Sequence, residues 1–337
     1  VREQKKVSCG IAGFGFYLPE KEVPVRELAE KAGIPQIVAE FAGARTVREA
    51  AAGELPSDMA IRAAREALKD ADMDPQQIDL IIYCGAGLPD YIIPQTSGKI
   101  QHAIGASRAF AFDVVQGCSG MLSALQAAKG YIALDEGIDT VLLVSGDKWS
   151  QFTRFHAADS VFFGDGGGAV IIRKGWPDYQ PLCFNMITDG EYYDLWRIEA
   201  GGVKHPATAE TLERGLHYYD CYDKKRAHGP FKDLYVPTII RGVRGALEKC
   251  DLKPEDVAYF DMVNANLKVL EIVADGLGIP RERTSAEVLE RFGHFGAFDI
   301  FFNLKQAVSG GKVKKGDIIV MQSTGVGFTW ACGILRY

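Results

Sequence analysis

The amino-acid sequence predicts an α/β protein made of two copies of one strand-and-helix unit, each about half of the 337 residues. Three observations carry that prediction. Apolar runs of strand length alternate with stretches whose apolar residues fall at helical spacing, as in a layered α/β fold. Residues 61–75 lie over residues 240–254 at a shift of 179, with an isoleucine, two arginines, an alanine, a leucine, an aspartate and a proline coinciding. Residues 139–146 lie over 317–324 at nearly the same shift. Self-similarity at one long offset marks a repeated unit. The halves divide into residues 1–175, which carry a candidate nucleophile, and 176–337, which carry a candidate base.

In the first half, residues 7–16 read as a strand, followed by short helices over 25–31 and 36–41 with Pro35 at the break. Ser57 is placed to cap a helix over 58–70, and Pro75 opens the turn into a strand over 79–84. A loop of turn formers, 85–94, leads to a helix over 95–102. An apolar, β-rich run over 109–115 reads as a buried strand, and behind it Met121, Leu122, Leu125, Ala128 and Ile132 recur at helical spacing. A strand over 140–145 follows, then an irregular stretch over 146–163, the run Gly164-Asp165-Gly166-Gly167-Gly168, and an apolar run over 169–172. A phosphate-binding loop opens a helix, whereas this glycine run precedes a strand, so it reads as a structural turn near the site. The second half repeats the plan.

Between the 109–115 strand and the helix behind it stands Gln116-Gly117-Cys118-Ser119-Gly120. A cysteine on a sharp strand-to-helix turn meets unpaired amide N–H groups and the positive end of the helix dipole, which favour the nucleophilic thiolate. Local pattern alone leaves Cys118 between that role and simple packing, since free cysteine is among the most buried residue types. Cys9, Cys84, Cys183, Cys250 and Cys332 read as packing residues. The repeat adds a second argument. Equivalent loops of a duplicated fold meet at the shared interface, where pockets form. Shifted by the repeat, Cys118 falls beside His294, in Phe292-Gly293-His294-Phe295-Gly296, and the loop after residue 84 falls on Asn264-Ala265-Asn266. A thiol, an imidazole and amides converging from corresponding loops fit a nucleophile with its base.

Composition limits the alternatives. No apolar run approaches 18 residues, so a membrane span is not expected. The opening residues 1–6 lack the apolar core of a secretory signal, and seven cysteines without CxxC spacing argue against a disulfide framework and a zinc site. A reducing cytoplasm is expected. A net charge of −6 disfavours nucleic-acid binding. Basic residues cluster at Lys224-Lys225-Arg226 and at Arg241, Arg244, Lys249 and Lys253, either as a solvated face or as a landing site for an acidic partner or phosphate.

On Gly117-Cys118-Ser119-Gly120, residues 163–169, Asn264-Ala265-Asn266-Leu267 and Gly325-Val326-Gly327-Phe328-Thr329-Trp330, the sequence resembles the thiolase superfamily, closest to ketoacyl-acyl-carrier-protein synthase III. The resemblance covers nearly the whole chain. It implies a five-layered αβαβα fold, a homodimer, and an acyl thioester from coenzyme A or a carrier protein as substrate, with no permanently bound cofactor. It further implies that Cys118 holds the acyl group covalently and that the backbone N–H groups of Cys118 and Val326 receive the oxyanion. Lys268, with Arg241 and Arg244, would dock an acidic carrier protein or the phosphates of coenzyme A.

The sequence departs from the synthase pattern at two runs. Where the family has His-Gln-Ala-Asn, this chain has Val263-Asn264-Ala265-Asn266, and where it has Gly-Asn-Thr, this chain has Gly293-His294-Phe295. Histidine in the second loop resembles thiolases and a branch of synthase-III-like proteins of natural-product pathways with cysteine or serine, histidine and a downstream aspartate. Asp299 stands where that aspartate would be, and otherwise reads as a helix N-terminal charge. The expected roles are His294 as general base, Asn264 as donor to a thioester carbonyl and Asp299 as orienter of the imidazole. The family's adenine clamp is replaced by Ile37 and Ala157, with Arg45, Arg48, Arg154 and Trp149 nearby as substitutes. His102, His156, His205, His217 and His228 read as surface or packing residues. Tyr91, Phe152, Phe155, Phe295 and Phe298 are expected in the core or lining a pocket.

The expected activity is condensation of a Cys118 acyl-enzyme with a malonyl-type extender. Acyl transfer to a hydroxyl or amine is the second reading, and a non-catalytic partner subunit of the same fold the third.

Overall fold

The computed structural model describes residues 7–153, 160 and 162–337. Arg154, Phe155, His156 and Ala157, named above, lie outside the described residues, as do residues 1–6. The chain runs β1 (Cys9–Tyr17), β2 (Lys21–Pro24), α1 (Val25–Ala32), α2 (Gln36–Ala42), β3 (Thr46–Glu49), α3 (Pro56–Asp70), β4 (Leu80–Tyr83), α4 (Thr96–Ile104), β5 (Phe110–Asp113), α5 (Gly120–Leu134), β6 (Thr140–Asp147) and β7 (Gly166–Lys174). It continues through β8 (Gln180–Thr188), β9 (Trp196–Ile198), α6 (Ala209–Glu213), β10 (Tyr219–Cys221), α7 (Lys224–Arg226), α8 (Lys232–Glu248), β11 (Val257–Met262), α9 (Leu267–Leu277), α10 (Ala286–Phe292), α11 (Asp299–Ser309), β12 (Ile318–Gly325) and β13 (Thr329–Arg336).

Two sheets form the frame. The first has the order β1-β7-β6-β4-β5 and the second β11-β12-β13-β8. Strands at equivalent repeat positions occupy equivalent places: β4 beside β6 in the first sheet, β11 beside β12 in the second, both pairs parallel. Helices α3 and α4 cover the outer face of the first sheet and α8 that of the second, while α5 and α11 touch both sheets. The result is a five-layered αβαβα fold. Its central strands are continuous apolar runs because both faces are covered; Leu80, Ile81, Ile82, Val141, Leu142 and Leu143 are fully buried. Helix α5 lies within the central layer, where Met121, Leu122 and Leu125 pack with Phe298, Phe301 and Met321. Among the described residues no helix is long and apolar enough to cross a membrane.

Three expectations change. Helix α3 begins at Pro56, so Ser57 sits inside its first turn and donates its hydroxyl to Asp90 Oδ2 at 2.6 Å instead of capping. Pro is favoured at that first position because its missing N–H has no helical partner. Gly166, Gly167 and Gly168 belong to β7 rather than to a turn. A Cβ at Gly167 would stand 2.4 Å from Met59 O, so the bare backbone is what lets α3 lie on the sheet. Finally, Cys183 and Cys250 form a disulfide instead of packing as thiols. The end of α8 turns back over β8 and sets the two Cα atoms 6.2 Å apart, within bonding reach.

Candidate active site

The N-termini of the two central helices converge from the two halves, and the reactive side chains sit on them. Cys118 occupies a single 3-10 turn, Gly117–Ser119, directly ahead of α5, and His294 lies in the loop that opens α11. Gly117 has φ +54°, the left-handed region that a side chain disfavours, and this kink turns the chain from β5 into α5. The His294 loop is stitched to the first half through its backbone. His294 N–H donates to Phe162 O and Gly164 N–H donates to His294 O, each at 2.8 Å.

This clamp places His294 Nε2 3.2 Å from Cys118 Sγ. On the far side of the ring, Asp299 Oδ2 accepts from His294 Nδ1 at 2.5 Å. The carboxylate has further donors: Phe295 N–H to Oδ1 and Asn264 N–H to Oδ2, both at 2.8 Å. Asp299 is thus both the first residue of α11 and the partner of the imidazole. With Nδ1–H directed at the carboxylate, Nε2 is left facing the sulfur. Burial works against charge on His294, but the Asp299 carboxylate and the Cys118 sulfur outweigh it and hold the imidazolium up to about 10.

Cys118, His294 and Asp299 are brought together as the sequence suggested, whereas the Asn264 side chain is not. Asn264 Nδ2 donates to Asn303 Oδ1 at 3.1 Å, and Asn264 Oδ1 accepts from Asn303 Nδ2 at 2.9 Å. Fully buried and paired head to tail, that amide faces away from the sulfur; Ala265 and Asn266 line the cavity instead. Asn264 reaches the catalytic chain through its backbone N–H. Behind it, Asn303 also donates to Asp261 Oδ1 at 2.9 Å, and burial pushes the Asp261 carboxyl well above its ordinary range. Asn303 and Asp261 were absent from the sequence reading. Their signal was one turn of α11: Asn303 follows Asp299 by four positions, so both project from one face.

Val326 sits in the turn between β12 and β13 and lines the cavity with Cys118. Its N–H stands 3.0 Å from where a Cβ of residue 117 would be, and no backbone carbonyl among the described residues accepts from it. Ser323 Oγ donates to Cys118 O at 2.7 Å, tying β12 to the nucleophile's turn.

The cavity has a volume of about 640 Å³ and opens to solvent. Its walls are aromatic, and they are mostly not the rings singled out from the sequence. Phe162, Phe163, Trp196, Tyr219, Phe231, Tyr235 and Phe328 line it. Phe152, Phe295 and Phe298 are core residues, and Tyr91 is 75% exposed. Of the clamp substitutes, Trp149 is buried against Phe163, and Arg48 is held by Glu22 and by the carbonyls of Pro19 and Glu20. Neither is free to stack on a base, whereas Arg45 is exposed and faces Glu290. Ile37 stands at the mouth and joins a shallower hollow lined by Glu40, Leu267, Lys268 and Glu271. Arg241 and Arg244 lie on the exposed side of α8, Arg244 donating to Gly276 O at the end of α9. Arg226, from the basic run, is taken up by Asp194 and Asp223 and serves as an internal latch. No group of three or more metal-binding side chains occurs among the described residues.

Comparison with known proteins follows this geometry. Residues 112–190 match the family described as 3-oxoacyl-[acyl-carrier-protein] synthase III, and residues 247–337 match its C-terminal domain. The chain is 32% identical over 331 residues to the beta-ketoacyl-[acyl-carrier-protein] synthase III of Roseiflexus castenholzii, covering 98% of each. It is 30% identical over 336 residues to the same-named protein of Caldanaerobacter subterraneus, covering 99% of each. Among solved structures, 3-oxoacyl-[acyl-carrier-protein] synthase III from Aquifex aeolicus superposes with a TM-score of 0.83 at 28% identity, covering 98% of this chain and all of that one.

Proposed function

Since the chain belongs to the 3-oxoacyl-[acyl-carrier-protein] synthase III family, we propose that it forms an acyl-enzyme on Cys118 and condenses that acyl group with a malonyl-type extender. The observation that carries the assignment is the buried line Cys118 Sγ, His294 Nε2, His294 Nδ1, Asp299 Oδ2, with spacings of 3.2 and 2.5 Å. His294 removes the proton of Cys118, the sulfur attacks the thioester carbonyl, and the resulting imidazolium protonates the departing thiolate. The N–H groups of Cys118 and Val326 stabilise the oxyanion of the tetrahedral intermediate, a contribution of about 3–4 kcal/mol for one such donor. Loss of carbon dioxide from the extender then yields a carbanion that attacks the acyl carbonyl and expels the Cys118 sulfur.

Lys268, beside the cavity mouth, and Arg241 and Arg244, along α8, receive the acidic carrier protein or the phosphates of coenzyme A. The enzyme works as a homodimer through the free edge of β5, in the cytoplasm. The chain divides functionally at 175/176, one half supplying sulfur and the other imidazole.

A second reading, acyl transfer to a hydroxyl or amine, is favoured by one observation: the Asn264 amide is turned to Asn303, leaving an enolate without that donor. In this reading His294 deprotonates the acceptor. Intact mass after incubation with acyl-CoA tests the shared step, with an adduct expected that Cys118→Ala abolishes. Carbon dioxide released from malonyl thioester separates the two outcomes. An adduct that survives Cys118→Ala would defeat both.

A further inference from the structure

The acyl-enzyme reading leaves the acyl group unnamed, and the cavity walls bear on it. Two aromatic clusters contribute to the walls of the cavity that holds the sulfur. One is Phe163 stacked on Trp149 at 4.1 Å and on Phe162 at 4.8 Å, with Tyr219 edge-on to it and the His294 ring 5.1 Å away. The other is Phe231 against Phe328 at 4.4 Å, with Trp196 edge-on to Phe328. Among the described residues that line the cavity, His294 is the one ionisable as a cation, no carboxylate is present, and the other polar groups are Asn266, Thr324, Cys118, the Trp196 indole N–H and the hydroxyls of Tyr219 and Tyr235.

Volume and polarity then point the same way. The cavity, of about 640 Å³, is far larger than an acetyl group on the sulfur needs. A pantetheine arm fills part of the remainder, with Asn266, Thr324 and the tyrosine hydroxyls available to its amides, while the Phe162, Phe163, Phe231 and Phe328 walls offer no hydrogen-bond partner to a group lying against them. Space walled by rigid rings is matched by hydrocarbon, whose burial contributes about 25 cal/mol per Å², and it penalises a carboxylate that would enter unpaired.

Resting on the acyl-enzyme reading above, we propose that the acyl group carried by Cys118 is a bulky, uncharged hydrocarbon acyl group, ring-bearing or of medium chain length, and not acetyl.

The test is competitive labelling of the full-length protein with an equimolar set of acetyl-, octanoyl-, phenylacetyl- and succinyl-CoA, read by intact mass at early times. Octanoyl or phenylacetyl adducts at least ten times more abundant than acetyl, with succinyl undetected, are expected. Phe231→Leu, which keeps apolarity but removes a wall ring, is expected to lower that ratio. Acetyl labelling equal to or faster than the bulky donors, or succinyl labelling comparable to them, overturns the substrate assignment and leaves the Cys118 acyl-enzyme standing. No adduct from any donor, in protein shown to be folded by its unfolding transition, overturns the acyl-enzyme itself.

Discussion

Asp299 uses both carboxylate oxygens, on the Phe295 and Asn264 N–H groups and on the His294 ring, so it fixes the loop and the tautomer together. Replacing it by asparagine keeps the shape and removes the charge that stabilises the imidazolium. His294 is raised in the folded protein from 6.5 to about 10. A raised group contributes stability that is complete below about pH 6.5 and lost as pH climbs through about 10. Asp299→Asn is therefore expected to lower the denaturation midpoint most near pH 6, with the gap to native protein closing towards pH 10. A gap that widens with pH would contradict this account. The same variant should slow Cys118 acylation by about 10²-fold or more, as should His294→Ala, because general-base assistance is of that size. Asn303→Ala leaves the buried Asp261 carboxyl and the Asn264 amide without their partner. A loss of about 1–3 kcal/mol is expected in equilibrium unfolding, the ordinary cost of orphaned buried polar groups. Equal stability would show that the Asp261, Asn303 and Asn264 chain does not support the loop.

The turn between β12 and β13 approaches the Cys118 turn so closely that a Cβ at Gly325 would stand 2.2 Å from Gln116 O and 2.5 Å from Ser119 Oγ. Gly325→Ala has to push Val326 and Cys118 apart, so a drop in acylation of at least tenfold is expected from rate measurements. An unchanged rate would remove Val326 from the oxyanion site. This contact also marks how far the sequence could be read. The repeat placed β4 and β6 over β11 and β12, and hence Cys118 near His294, because a duplicated fold sets equivalent loops at one interface. It could not say which way an amide points. Asn264 stands in the anticipated loop, yet Asn303, one turn into α11, offers it a complementary amide in a dry interior and wins its side chain. The aromatic walls were hidden for another reason. Trp196, Tyr219 and Phe231 come from residues 189–231, a stretch for which the repeat supplied no counterpart, and they meet Phe162 and Phe328 only after the whole chain has folded.

Among the described residues, strand β5 ends the first sheet with apolar side chains exposed along it. Phe110 is 60% exposed on it and Val115 93% exposed just beyond. Ile92, Ile93 and Leu134 are also at least 74% exposed. An edge strand with exposed apolar neighbours is a template for another strand, and a two-fold pairing with a second copy covers it without leaving a new edge. The solution mass is therefore expected to be twice 36.8 kDa, and Val115→Asp with Phe110→Lys should give a folded monomer by light scattering. The loop after β4 also reaches the site. Ala86 and Gly87, at the start of the loop that carries Ile92 and Ile93, donate their N–H groups to Asp147 Oδ1 at 2.8 and 2.6 Å. The other oxygen of Asp147 faces Gly296, two residues from His294, where a Cβ would come within 2.7 Å of it. Loosening the edge is expected to shift that loop and, through Asp147, the Gly296 turn beside His294. Acylation is accordingly expected to fall in step with dissociation on dilution, and to be reduced in the monomeric variant. Native protein that is monomeric at micromolar concentration, or a monomer acylated at the full rate, would break the link between this edge and the catalytic loop.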